Sequence, residues 1–173
     1  MRKAIFGGSF DPPHNGHLET IQQAIISLNI DKLLIVPAFL NPFKSHYKAP
    51  AHLRLKWLKE MTKDLPKVEV SSFEIDLNRP ISSIETVKHF QDADETYFII
   101  GADNLKKLSL WKNFEDLDKM VTWVVATRDN IEIPKEFLTL SVNQDISATQ
   151  LRQSINDAYL DKNVTQEIID FYR

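Results

Sequence analysis

Ala4-Ile5-Phe6-Gly7-Gly8-Ser9-Phe10-Asp11-Pro12-Pro13-His14-Asn15-Gly16-His17 is the stretch from which the rest of this 173-residue chain is read. A short apolar run ending in two glycines is the pattern of a buried parallel strand entering a turn where backbone amides approach an anion. Beyond the turn, Leu18, Ile21, Ala24, Ile25 and Leu28 recur at three- and four-residue spacing, which predicts a helix over 16–28 with one buried face. His14 and His17 then sit at the mouth of that helix, where unpaired amides and the positive end of the dipole favour phosphate. Three residues apart, both rings can face one side. An imidazole there donates N–H bonds to phosphate oxygens, more strongly when protonated.

Outward from this block, Lys32 to Val36 is an apolar, β-branched run that stops at Pro37, as a second buried strand would. The loop over 38–49 carries Pro42, Lys44, His46 and Lys48 and is long enough to suggest a role in the site. Leu53, Trp57, Leu58 and Met61 mark an amphipathic helix that starts near Pro50 and ends before Pro66. A short strand follows over 68–70. Ser82 or Ser83 caps a helix running to Phe90, and Tyr97 to Ile100 is a strand ending at Gly101. Leu105, Leu108 and Trp111, then Phe114 and Leu117, have the spacing of one or two short helices. Strands over 121–126 and 137–140 and helices over 147–158 and 165–172 complete the pattern. Alternation of strands and helices predicts an α/β fold, a Rossmann-like doubly wound parallel sheet with helices on both faces, in a single domain spanning 1–173. In such sheets ligands collect at the carboxyl ends of the strands.

Composition narrows the function. A hydrophobic content of 43% suits one well-buried domain. A formal charge of −3 supplies no global basic field, so no nucleic-acid partner is expected and any phosphate site must be local. The absence of cysteine excludes disulfides, thiolate metal sites and a cysteine nucleophile. No apolar stretch reaches the roughly 20 residues of a membrane span, and no targeting segment is visible, so a cytoplasmic, non-membrane protein is expected. The oligomeric state stays open, a homodimer included.

The Gly7-Gly8 turn is neither a Walker loop, which needs a Lys-Ser/Thr pair, nor the Gly-x-Gly-x-x-Gly fingerprint. His-x-x-His also suits a metal, although only Asp11 stands nearby as a third ligand. At the other end, Ile146-Ser147-Ala148-Thr149-Gln150-Leu151-Arg152 opens a helix after the last strand, with Ser147 as N-cap. It reads either as a capped surface helix with a solvated arginine or as a second anion site. Two such sites around one ligand point to a polyphosphate. Taken alone, Gly101-Ala102-Asp103 is a strand-ending turn with a helix cap, and Trp111 a core residue.

The two terminal motifs together resemble the His-x-Gly-His nucleotidyltransferases, and more narrowly the bacterial nicotinate-nucleotide adenylyltransferases. Three intervening segments fit in order. Pro37-Ala38 with Pro42 and Lys44 resembles the family's substrate loop, Arg79-Pro80 with Glu85-Thr86 its Arg-Pro-Gly-Pro-Ser-Tyr-Thr-x-Asp-Thr segment, and Phe98 to Asp103 with Trp111 its Gly-Ala-Asp and Trp pair. Asn41 and Phe43 depart from the usual Pro and His of the substrate loop, Ser82 from a Tyr, and Ala148 from a Ser.

The resemblance implies adenylyl transfer from ATP to nicotinate mononucleotide, giving nicotinate adenine dinucleotide and pyrophosphate, with Mg²⁺ held mainly by the ATP phosphates. It implies His14, His17 and Arg152 as catalytic residues. ATP would be bound by Gly7, Gly8, Ser9 and Phe10 of the first turn, by Gly101 and Asp103 at the ribose, by Arg128 near the adenine, and by Ile146, Ser147 and Arg152 at the leaving phosphates. Lys44, Ser83, Thr86 and Trp111 would bind the acceptor. Alternatives within the same chemistry are nicotinamide mononucleotide or phosphopantetheine as acceptor, and outside it a non-catalytic nucleotide sensor.

Overall fold

The computed structural model describes residues 1–41, 46–128, 131–144 and 146–173. Six strands form one sheet: β1 (Arg2–Gly8), β2 (Lys32–Pro37), β3 (Val68–Val70), β4 (Glu95–Gly101), β5 (Thr122–Ala126) and β6 (Leu138–Leu140). Their order is β3-β2-β1-β4-β5-β6, and every neighbouring pair is parallel. The strand order reverses between β1 and β4, so a crevice opens at their carboxyl ends, where ligands of doubly wound sheets bind.

Alternation along the strands builds the two covered faces. Ala4, Phe6, Leu33, Ile35, Ile99 and Val124 point to one side with Ile21 and Ala24 of α1 (Asn15–Ser27) and Leu58 and Met61 of α2 (Ala51–Thr62). Ile5, Leu34, Val36, Phe98, Ile100 and Val125 point to the other, against Ile84 and Val87 of α4 (Ser83–His89) and Leu117 of α5 (Phe114–Met120). Strands buried on both faces need continuous apolar runs, which is how these segments read.

Boundaries differ from the expectations in instructive places. The glycines expected in the first turn are the last two residues of β1, paired through Gly7↔Val36 and Gly8↔Pro37. Both have negative φ; the left-handed residue of the turn is Phe10, at φ 51°. Gly8 is favoured for another reason, because a Cβ there would press on the buried Phe10 ring at 3.1 Å and the ring would have to give by a few tenths of an ångström. A four-residue helix, α3 (Phe73–Asp76), follows β3 where no element was expected. A 3₁₀ segment, Ala102–Leu110, continues directly from β4. The helix expected over 147–158 stops as α6 (Ala148–Gln153): Ser154 is extended, and the Asn156 side chain accepts from Ala158 N to start a separate 3₁₀ turn, Asp157–Tyr159. The chain then enters α7 (Thr165–Tyr172). Leu151, Leu160, Val164, Ile168 and Tyr172 pack with Trp57 and Ala49 into a third apolar cluster outside the sheet.

Arg54 on α2 is 1% exposed. Its guanidinium donates to the carbonyl oxygens of Ala49 (3.0 Å), Ser9 (2.7 Å), Ala38 (2.8 Å) and Phe39 (3.3 Å). The loops after β1 and β2 are thereby tied to one planar group whose five donors suit a ring of carbonyls. Burial depresses the Arg54 pKa, with Tyr47 and Asp11 opposing that shift. Arg54→Met is expected to lower unfolding free energy by about 3 kcal/mol, since it leaves several half-buried carbonyls without a charged donor. A shift of the urea midpoint measures this.

Candidate active site

A cleft of about 750 Å³ lies over the carboxyl ends of β1, β2, β4 and β5. Its floor is Gly7, Gly8, Val36, Ile100, Gly101 and Ala126. The first wall is the turn from Ser9 to His17. Here His14 is the N-cap of α1: its Nδ1 accepts from Gly16 N at 3.0 Å, while His17 Nδ1 accepts from His14 N at 3.1 Å. A histidine thus takes the place that Ser or Asp usually fills in such a box. Gly16 allows it, since a Cβ there would lie 2.8 Å from the His14 ring. The rings stack with centroids 3.7 Å apart, and Phe10 meets His17 edge-on at 4.8 Å.

These bonds determine the tautomers. A backbone N–H only donates, so each Nδ1 must carry a lone pair and each neutral ring keeps its proton on Nε2. Among the described residues neither Nε2 has a hydrogen-bond partner in the protein, and both rings line the cleft. Burial, then the charge of Arg128, pushes His14 down to about 3. His17 is also lowered well below the usual range, by burial first, then by His14 and Arg128. The free protein therefore holds a pair of neutral N–H donors at a helix start, not the stronger imidazolium.

The opposite wall is the turn into α6. Ser147 Oγ accepts from Gln150 N at 3.1 Å, closing a capping box with Gln150. Arg152 reaches back across the cleft mouth, donating to Asp11 O at 2.7 Å and to Thr149 Oγ1 at 3.2 Å. It is therefore anchored to the histidine turn rather than solvated. Ile146, Ser147 and Arg152 all line the cleft.

At the β4 and β5 side stand Asp103 and Arg128, which pair with each other at 3.4 Å. Asp103 folds back over Gly101, where a Cβ would lie 2.7 Å from its Oδ1. The far end of the cleft is formed by Ser83, Thr86 and Trp111. Trp111 packs at 6.0 Å from Phe98 and 5.9 Å from Trp123, as a core residue does, and it also lines the cleft. Thr86 is buried and donates through Oγ1 to Glu74 Oε1 at 2.5 Å. Lys44 lies outside the described residues, as does Phe43.

Three residues at the site escaped the sequence reading. Asp11, 2% exposed, was weighed only as a metal ligand, yet its carboxylate accepts from Lys48 N, Ala49 N and the Tyr172 hydroxyl. Arg54 falls on the apolar stripe of α2 with Trp57, Leu58 and Met61, and a charged residue at such a position was a readable signal. Glu74, on the short α3, gave no signal. Among the described residues, no three His, Asp or Glu side chains converge as a metal site, and no helix is long and apolar enough to cross a membrane.

A model of cytidylyltransferase-like proteins matches residues 5–154. The chain belongs to this family of nucleotidyltransferases and, within it, to the nicotinate-nucleotide adenylyltransferases. A probable nicotinate-nucleotide adenylyltransferase of Sulfurimonas denitrificans is 52% identical, covering 98% of this chain and 94% of that one. Another, from Campylobacter fetus, is 46% identical over 100% of this chain and 97% of its own length. The structure of Plasmodium falciparum nicotinic acid mononucleotide adenylyltransferase complexed with NaAD superposes with a TM-score of 0.78 at 21% identity, covering 99% of this chain and 95% of that one. It shares the fold expected from the sequence.

The depressed pKa values predict an acid liability. Unfolded imidazoles bind protons below 6.5 whereas folded His14 resists down to about 3, so the stabilisation is complete above 6.5 and is lost as pH falls through that window. In the free protein, ¹H–¹⁵N spectra should report His14 and His17 as neutral Nε2–H tautomers down to about pH 5. Protonation of either ring near its usual value would contradict the geometry.

Proposed function

We propose that this cleft aligns ATP and nicotinate mononucleotide for in-line adenylyl transfer, with the roles divided between its two helix starts. An oxygen of the acceptor phosphate attacks the α-phosphorus, the bond from that phosphorus to the bridging oxygen breaks, and pyrophosphate leaves with the electron pair. A phosphate is already ionised at neutral pH, so the reaction asks for no general base. Alignment and charge stabilisation around the α-phosphate are enough.

The observation that carries this reading is the convergence, in one cleft, of two neutral Nε2–H donors on the β1–α1 turn with Ser147 and Arg152 on the α6 turn. His17 and His14 would donate to the α- and β-phosphates, and Ser147 and Arg152 would hold the leaving β- and γ-groups, where Arg suits phosphate geometry. The amides of Gly8, Ser9 and Phe10 line the phosphate end, Gly101 and Asp103 take the ribose, and Arg128 lies at the adenine. Since the Asp103–Arg128 pair spans that subsite in the free protein, nucleotide binding would exchange it for contacts with the ligand. The acceptor's ring would stack on Trp111, with its carboxylate near the Ser83 amide at the start of α4, beside Thr86, and its phosphate within reach of Lys44. Mg²⁺ carried on the ATP phosphates as part of the substrate would supply charge neutralisation for the leaving pyrophosphate. The phosphate-lined chemistry of the reaction and its soluble substrates support a cytoplasmic setting.

Pyrophosphate release with MgATP and each candidate acceptor tests the reading: nicotinate mononucleotide is expected to turn over, and no turnover with either pyridine mononucleotide would sink it. His17→Ala should cut kcat by about 10²–10³-fold with the fold retained, the loss typical of one removed transition-state donor. Trp111→Ala should raise KM for the acceptor more than KM for ATP; equal effects would mark it as a packing residue.

A further inference from the structure

The acceptor end of the cleft contains a carboxyl group that the reaction as derived does not use. Glu74 is 7% exposed and lines the cleft. Its Oε1 accepts from Thr86 Oγ1 at 2.5 Å, and among the described residues its Oε2 has no hydrogen-bond partner. Nor is Oε2 sealed off as an orphaned buried atom, so it keeps access to solvent on a residue that lines the cleft. A carboxylate in this place would oppose an acceptor that itself carries a carboxylate on its ring, because two such groups in one buried site cannot both ionise cheaply.

We propose that Glu74 reads the charge of the acceptor's ring substituent: as a neutral carboxyl it donates from Oε2 to an acidic substituent, and as a carboxylate it accepts from an amide. Because Oε1 is occupied as an acceptor, the hydroxyl of the neutral form falls on Oε2, the atom free to meet the ligand. This deepens the acceptor assignment above and rests on it.

The surroundings bring the neutral form into reach near neutrality. Burial pushes Glu74 up to about 7, against the Thr86 hydrogen bond, and the neighbouring Glu85 adds to the rise. Glu85 of α4 is itself paired with Arg79 at 2.9 Å. From the loop after β2, Tyr47 faces Glu74, and Arg54 lies 4.4 Å over the Tyr47 ring. His89 stacks on Phe73, the residue before Glu74, at 3.8 Å. Among the described residues no cation touches Glu74, so none of them holds it ionised below its raised pKa. With the acid form favoured at lower pH and lost as pH rises through about 7, preference for the acidic acceptor should fall in the same window.

The test is the ratio of kcat/KM for nicotinate mononucleotide to that for nicotinamide mononucleotide, with MgATP, from about pH 6 to 9, a range that brackets the titration of a raised carboxyl. Both acceptors carry the same phosphate, so its ionisation cancels in the ratio. The ratio is expected to fall about tenfold across the range, one unit of coupling between two carboxylates. In Glu74→Gln, which keeps a neutral donor at every pH, the ratio should stay flat. Glu74→Met, which removes the carboxyl and keeps the volume, should also flatten it and serves if the Gln variant does not fold. A wild-type ratio constant with pH, or a pH-dependent ratio that survives either substitution, overturns the proposal. Absence of turnover with both acceptors would be a different failure, that of the acceptor assignment itself.

Discussion

The buried carboxylate of Asp11 is the point on which the site depends. Its oxygens accept from Lys48 N at 2.9 Å, Ala49 N at 3.0 Å and the Tyr172 hydroxyl, while the backbone carbonyl of the same residue accepts from Arg152. One residue therefore joins the loop after β1, the loop before α2, helix α6 and the last helix. A carboxylate removed from water is stable only when its lone pairs are filled, and here the donors come from two distant parts of the chain, the loop before α2 and the last helix. Tyr172 stays a protonated donor, its pKa raised by burial and by Asp11. With Arg54 serving the carbonyls of the same loops, the strand ends are bound to two charged groups beneath the cleft.

This foundation explains how two histidines can be held neutral and stacked against each other. Each ring gives its Nδ1 to the backbone of the turn, so the turn's geometry and the donors' direction are the same fact. A protonated pair at 3.7 Å would repel, and the burial that removes the charge would also strengthen each N–H bond to an acceptor oxygen entering the cleft. The site trades the intrinsic strength of imidazolium for donors that are already oriented and need little reorganisation.

The four central strands of the sheet were legible because they are buried on both faces and so read as unbroken apolar runs, from Ala4 to Val125. The paired histidines and the Ser147 cap were legible too, since each is a local pattern. Local patterns could not reveal that Phe10 takes the left-handed turn instead of a glycine, because the reason is tertiary: the Phe6 ring, 5.4 Å away, and His17 make a pocket for it. Nor could they show that Arg152 grips Asp11 O across 141 positions, or that Glu74 meets Thr86 twelve residues on, with α3 too short to leave a period. Arg54 lies between these cases, a charge on an apolar stripe whose four carbonyl partners belong to other segments.

The bond from Tyr172 to Asp11 spans 161 positions, and β1 finds its partner β4 only after about ninety residues have intervened, as in Arg2↔Glu95. Such long-range closure is slow relative to local helix formation. The turn from Ser9 to His17 is synthesised well before the helix that secures it. Until α7 has emerged, Asp11 lacks its phenol, so a nascent chain passes through much of its synthesis without the finished cleft and gains it late.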